Sequence, residues 1–371
     1  MNPLCTRSLR TIDRRLGCPL AQCTPGKTHE NSEISVKVLV TGGTGFVGSH
    51  AVAALLRRGH WVRLLVRDPS KIQRVLKARG IEVDDYAVGD IADAQAVRTA
   101  LMGCDAAMHA AATFYGGNEI YTANVQGARN VLGIAAKLGI DPILFISTVA
   151  AMFPPAGEQS TVDDPIRGLE TTYGRSKVEA ERFARELQAR GAPLVVIYPA
   201  AVFGPDDPGP GETTKGLRDG VRFGWPIATG GVSIVDVRDL AEVIAAALEP
   251  GCGPRRFMVG GHFMSWPELA DLCDALTGRR TLHIPVPGLL LRGIGRLLDA
   301  AKRIVPFTYP LTHEAAVIMT RLVPCDSLAT IEQLGVPFRP TAETLHDTIR
   351  WLYETGAISA KIAGEIANSR A

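Results

Sequence analysis

Val36-Lys37-Val38-Leu39-Val40-Thr41-Gly42-Gly43-Thr44-Gly45-Phe46-Val47-Gly48 runs from an apolar, β-branched strand directly into glycines spaced three apart. A strand that empties into such a turn and opens a helix is the local arrangement that holds a dinucleotide's phosphates. Gly42 permits the tight turn, Gly45 lets backbone approach the pyrophosphate, and Gly48 lets the helix pack closely on the sheet. Thr44, Phe46 and Val47 complete the set expected around the phosphates. Backbone N–H groups in the first helical turn then meet negative charge at the helix's positive end.

Working outward, short β-branched runs alternate with amphipathic helices, the pattern of a parallel sheet covered on both faces. Helix one is expected over Gly45 to Arg58. Strand two is Trp61 to Val66, followed by Arg67-Asp68-Pro69 and a helix capped by Ser70 that runs through Arg79. Ile81 to Ala87 reads as strand three and Ala106 to Ala110 as strand four. A long helix over Ile120 to Leu138, strand five at Ile143 to Ser147, a helix over Thr172 to Arg190 and strand six at Leu194 to Tyr198 follow. The predicted fold is α/β, a doubly wound parallel sheet with a smaller, mostly helical carboxyl-terminal substrate lobe. Its parts are an extension over residues 1–33, a dinucleotide-binding core over 34–199, and a lobe over 200–371 with some segments returning to the core. Within that lobe, helices are expected near Trp266–Leu276 and Thr344–Thr355.

The residue ending strand two chooses between nicotinamide cofactors. An acid there would accept from the adenosine ribose and repel a phosphate. This chain has Arg67, whose permanent planar charge suits a ribose phosphate, with Lys71 nearby, so NADP is favoured over NAD. The competing reading makes Arg67 a surface residue satisfied by Asp68. Asp90 either accepts from the adenine amino group or caps the next helix. Ile91, Ala110, Ala111, Ala112, Pro199 and Val202 complete the cofactor-lining set, and His109 reads as a packed, hydrogen-bonded histidine.

Tyr173 and Lys177 stand four apart, so one helix places them on one face. An ammonium near a phenol favours phenolate, and Tyr173 is then suited to exchange a proton with a carbonyl or alcohol oxygen. Lys177 can also hold a cofactor ribose. Thr148, or Ser147 beside it, supplies a hydroxyl to orient the reacting oxygen. A tyrosine followed four later by lysine is common on surface helices; here its position, one helix after the strand-end hydroxyls, gives it meaning.

These motifs resemble the extended short-chain dehydrogenase/reductase family over roughly Val36 to Tyr353, nearest its dihydroflavonol-reductase-like and 3β-hydroxysteroid-dehydrogenase-like branch. Val66-Arg67-Asp68-Pro69, Ser147-Thr148-Val149-Ala150-Ala151, Val202-Phe203-Gly204-Pro205 and Asp236-Val237-Arg238-Asp239-Leu240 carry the likeness beside the glycine motif and the Tyr173–Lys177 pair. The resemblance implies a Rossmann-type core, catalytic roles for Thr148, Tyr173 and Lys177, and a structural or proton-relay role for Asn124. It also implies a homodimer built on the helices at 120–138 and 172–190. One departure is visible: Tyr198 precedes Pro199 where many extended members carry arginine, which weakens any transfer of a sugar-nucleotide enzyme's substrate contacts.

The expected reaction is NADP(H)-dependent interconversion of a ketone and a secondary alcohol on a hydrophobic substrate. Thr113-Phe114-Tyr115, Met152-Phe153, Phe203 and Trp225 are the candidate wall; the alternative for each is lobe packing. Two other readings stay open, a nucleotide-sugar epimerase or dehydratase with tightly bound NAD and a non-catalytic NADP-sensing scaffold. Lys215, Arg218 and Arg222 keep an acidic substrate in play.

The 371 residues carry 40 basic against 38 acidic side chains, a near balance that argues against nucleic acid binding. Seven cysteines without paired or metal-like spacing point to a reducing, cytoplasmic setting and no metal. Residues 1–33 carry arginines but no apolar centre of a secretory signal. Pro287 to Val305 is leucine-rich yet broken by Arg292, Arg296, Lys302 and Arg303, too polar to cross a membrane. It reads as an amphipathic helix, with Leu290, Ile294, Leu297 and Ala301 on its apolar side, covering the substrate lobe or touching a membrane surface.

Overall fold

The computed structural model describes residues 35–113, 118–209, 211–302 and 313–368. The extension over 1–33 and the substrate-wall pair Phe114-Tyr115 lie outside the described residues.

The first half alternates β1 (Lys37–Thr41), α1 (Phe46–Arg57), β2 (Trp61–Val66), β3 (Tyr86–Val88), α2 (Ala94–Leu101), β4 (Ala106–His109), α3 (Asn118–Lys137), β5 (Ile143–Ile146), α4 (Thr172–Ala189) and β6 (Leu194–Pro199). Then come β7 (Ala201–Phe203), α5 (Glu212–Phe223), β8 (Trp225–Ile227), β9 (Gly231–Asp236), α6 (Val237–Ala246) and β10 (Arg255–Val259). The carboxyl-terminal part holds β11 (His262–Ser265), α7 (Trp266–Thr277), β12 (His283–Pro285), α8 (Gly288–Lys302), α9 (His313–Arg321), α10 (Leu328–Leu334) and α11 (Thr341–Glu354), then two short helices, α12 (Ala360–Ala363) and α13 (Glu365–Asn368).

Seven strands make one parallel sheet in the order β3-β2-β1-β4-β5-β6-β10. Strand side chains alternate, so β1 feeds both faces. Val38 and Val40 join a cluster with Ala51, Leu55, Leu240 and Ile244 from α1 and α6. Leu39 joins the opposite cluster, with Val97, Leu132, Ala180 and Ala184 from α2, α3 and α4. Truncating a side chain such as Leu39, which is wholly buried, costs about 2–5 kcal/mol. Strand order reverses between β1 and β4, and in open parallel sheets that switch point opens the ligand crevice at the carboxyl ends.

The second lobe carries a three-stranded sheet, β11-β9-β7, and a β12-β8 pair. Phe203, Leu217, Trp225, Leu269, Leu345 and Ile349 form its core. The chain returns to the large sheet through β10, which pairs with β6 from Arg255↔Val195 to Val259↔Pro199.

Two expected elements differ. Strand three begins at Tyr86, not Ile81, because it lies at the sheet's edge, where the preceding Asp85 is drawn to Lys37 and Arg63. Ser70 does not cap a regular helix. The Asp68 carboxylate instead accepts from Ser70 N and Oγ, and the segment to Arg79 winds irregularly, wide over Ile72–Leu76 and tight over Lys77–Arg79.

Candidate active site

Gly42 has a φ of +78°, and a Cβ there would lie 2.6 Å from Ala111 N. The turn after β1 is thus pressed against the loop leaving β4, a position closed to other residues. A Cβ on Gly48 would lie 2.1 Å from Gly42 O, so α1 rests directly on the turn. Gly45 differs. Its Cβ would meet only Gly42 O, at 3.3 Å, so the space it leaves faces outward. It is also the residue preceding α1, and no side chain caps that helix. An uncapped helix start behind an open glycine cradle fits a pyrophosphate, with Thr44, Phe46 and Val47 half-buried around it.

At the end of β2, Arg67 is exposed, its guanidinium 3.8 Å from the Asp90 carboxylate. The competing reading, in which Asp68 satisfies Arg67, is not borne out, because Asp68 is held by Ser70 and Arg74. Asp90 does not cap α2 either; its Oδ1 accepts from Ala92 N, whereas Asp93 accepts from Gln95 N and Ala96 N as the cap. Lys71 is exposed close by in sequence. Ile91 packs on Gly127 of α3, and Asn130 Nδ2 donates to the carbonyls of Ile91 and Ala92. Ala110, Ala111 and Ala112 follow β4 as the expected small-residue edge. Pro199 ends β6 buried, and Val202 packs half-buried against the α1–α6 side of the core. His109 is buried, bonded through Nδ1 to Thr41 Oγ1 at 2.7 Å and stacked on Phe145. Burial, with the Lys177 ammonium second, pushes it down to about 3, so it stays neutral.

Helix α4 carries Tyr173 and Lys177, the residues expected to do the chemistry. Its start is capped by Thr171, which accepts from Gly174 N. Lys177 is buried; its Nζ donates to Ile146 O at 3.4 Å and lies 5.6 Å from the Phe145 ring centroid. That bond ties α4 to the end of β5, two residues before Thr148. Thr148 Oγ1 accepts from Ala150 N at 3.2 Å, which leaves its O–H to donate. Burial pushes Lys177 down to about 8, while the neighbouring Glu181 carboxylate pulls it back up. Tyr173 moves the other way. Burial raises its phenol well above the ordinary value, and the expected acidifying effect of Lys177 is not seen in this arrangement.

Asn124 clasps three elements: its Oδ1 accepts from Thr113 N, and its Nδ2 donates to Thr113 O and Ser176 Oγ. It therefore fixes the strand-four exit against α4 one turn from Tyr173. Ser147, the alternative to Thr148, is buried and its Oγ donates to Glu181 Oε2 at 2.7 Å. Glu181 also accepts from Tyr198 OH at 2.5 Å and Arg185 Nε at 2.9 Å, deep in the core. Tyr198 and Arg185 together thus satisfy a carboxylate one turn beyond Lys177. Sequence reasoning did not single out Glu181; its four-residue spacing from Lys177, together with the unusual Tyr198, was the available signal.

Met152, Phe153, Phe203 and Trp225 prove to be buried members of the packing rather than a free substrate wall. Arg218 pairs with Asp219 and Lys215 with Glu212, whereas Arg222 lies over exposed Phe223. A broad groove of about 940 Å³ crosses α2, α3 and α4 past Arg98, Asn130 and Phe183, away from Thr148 and Tyr173. No group of three or more potential metal ligands occurs among the described residues.

Comparison with known proteins agrees with this geometry. Residues 38–260 match the NAD dependent epimerase/dehydratase family. The chain is 27% identical over 355 residues to a putative dihydroflavonol 4-reductase of Synechocystis, covering 87% of this chain and 96% of the relative. It is 28% identical over 331 residues to sterol demethylase protein B of Methylococcus capsulatus, covering 86% and 99% respectively. The crystal structure of gox2253 is similar at a TM-score of 0.73 and 27% identity, over 88% of this chain and all of that one. The chain belongs to the NAD-dependent epimerase/dehydratase family of extended short-chain dehydrogenase/reductases and is an NAD(P)-dependent oxidoreductase.

Proposed function

We propose that this enzyme reduces a hydrophobic ketone to a secondary alcohol with NADPH, reversibly, using Tyr173 as proton donor. The observation that carries the reading is the Lys177–Ile146 bond, which brings a buried ammonium, the Tyr173 helix and the Thr148 strand end together. When bound, the nicotinamide cofactor supplies or accepts the hydride.

The chain's own groups do the rest. Gly42, Gly45 and the uncapped start of α1 receive the pyrophosphate, and Arg67 and Lys71 offer cations for a ribose phosphate. Thr148 donates its O–H to the substrate oxygen and orients it. Tyr173, kept protonated by burial, gives its phenolic proton to that oxygen as charge develops, so the phenol is poised for reduction at neutral pH. Lys177 offsets the resulting phenolate charge. Asn124 acts by holding the backbone at Thr113 and the hydroxyl of Ser176 in register. The names of the two relatives, a putative dihydroflavonol 4-reductase and a sterol demethylase protein, support a reductase acting on a small organic molecule.

The test is cofactor-linked absorbance with NADPH and NADH across hydrophobic ketones and nucleotide sugars. Stoichiometric NADPH consumption with a ketone is expected, and Tyr173→Phe should lower kcat by about 10²–10⁴ while leaving NADPH affinity nearly unchanged. Turnover of a nucleotide sugar without net cofactor consumption, or near-normal rates in Tyr173→Phe, would reject the reading. Arg67→Asp should shift preference toward NADH; an unchanged ratio would place the phosphate contact elsewhere.

A further inference from the structure

Helix α8 turns the wrong side outward. Of the two readings of its apolar side, cover for the lobe or an outward surface, the second holds: Leu297 is 72% exposed, with Leu290, Ile294 and Ala301 exposed beside it, and neighbouring Leu289 is 80% exposed. At 100° per residue these positions span one continuous arc with Gly293 and Ala300 between them. The helix is attached by its narrow opposite side, where Leu291 meets Ala228 and Ala316 in a satellite cluster separate from the lobe's core. Packing of α8 on the protein therefore does not use the outward arc. Two residues separate β12 from α8 in the chain, and Ile284 in β12 and Leu282 just before it are exposed apolar side chains as well.

Charge narrows the occupant. From residue 279 to 302 the chain carries Arg279, Arg280, Arg292, Arg296 and Lys302 against the single acid Asp299, in a protein whose charges otherwise nearly cancel. Asp299 is engaged by His313 N, and Arg279 is turned inward to the carbonyls of Val221 and Ile362. Arg280 and Arg296 remain exposed, Arg296 at the border of the apolar arc. No described helix is long and apolar enough to cross a bilayer. Leucines flanked by arginines on a helix lying along the surface suit burial among acyl chains with the cations at anionic headgroups.

We propose that α8 and β12 form a docking surface for an anionic lipid membrane, with the helix lying in the plane of the interface. The proposal is independent of the assigned reaction. The test is co-sedimentation of the full chain with vesicles of phosphatidylcholine alone and of phosphatidylcholine mixed with phosphatidylserine. Size-exclusion chromatography and reductase assays run in parallel. Salt-sensitive binding to the mixed vesicles is expected. Leu289→Gln combined with Leu297→Gln should abolish it, and Arg280→Glu with Arg296→Glu should weaken it roughly tenfold. Both variants alter exposed side chains, so unfolding temperature and turnover should be unchanged. Failure of the native chain to sediment with either vesicle would overturn the proposal. So would vesicle binding indifferent to these substitutions, or loss of a dimer in the leucine variant, which would assign the surface to a second copy of the chain.

Discussion

Lys177 holds its charge in a place that disfavours charge, so its protonation is linked to stability and, under the proposed mechanism, to turnover. Its pKa falls from 10.5 to about 8 on burial, so between those values the unfolded chain binds the proton that the folded chain has lost. Stability then rises with pH through that window, and below about pH 8 the full penalty stands. Lys177→Met should raise stability at neutral pH by about 1–3 kcal/mol while abolishing turnover, and that gain should shrink as pH climbs above 8. Chemical denaturation at two pH values measures it. For the reaction, ketone reduction should be level below about pH 8 and decline above it as the ammonium is lost. Glu181 raises the Lys177 pKa, so Glu181→Gln should move that decline to lower pH, visible in the pH profile of kcat. The placement of Thr148 at a strand end and of Tyr173 and Lys177 on one helix was readable because it follows from their order along the chain. Glu181 was not, because its meaning depends on Tyr198 arriving from another strand.

Among elements, the turn between β1 and α1 separates two roles that glycine can play. Gly45→Ala adds a methyl 3.3 Å from Gly42 O, a contact that a shift of a few tenths of an ångström relieves, so the melting temperature should fall much less than in Gly48→Ala while NADPH binds much more weakly. Gly48→Ala drives a methyl into Gly42 O and should cost stability outright, about 1–3 kcal/mol. Thermal melts and fluorescence titration with NADPH distinguish the two. Strands β1, β2, β4, β5 and β6 were legible as apolar runs because both faces of the sheet are covered. The edge was not: β3 has no further neighbour, and the Pro69–Arg79 segment gives up regular helix for the Asp68 bonds and a wide turn. The orientation of α8 stayed open between lobe and surface because a helical period reports that two sides differ, not which of them meets the protein.

For the whole molecule, the expected boundary near Pro199 divides a chain that the sheet reunites. A fragment of residues 35–199 would lose β10, leaving β6 as a bare apolar edge, and would lose α6 from its packing against α1. Such a fragment should aggregate or fail to show a cooperative transition, as circular dichroism and light scattering would reveal. The lobes are also joined by three very short connections. Ala200 alone separates β6 from β7, β9 passes directly into α6, and Gly260-Gly261 link β10 to β11. A door hung on three such short hinges scarcely swings. Selection of a substrate must then rest on the contour cast when the chain folds, with adjustment left to side chains and surface loops, and X-ray scattering profiles with and without NADPH should nearly superimpose.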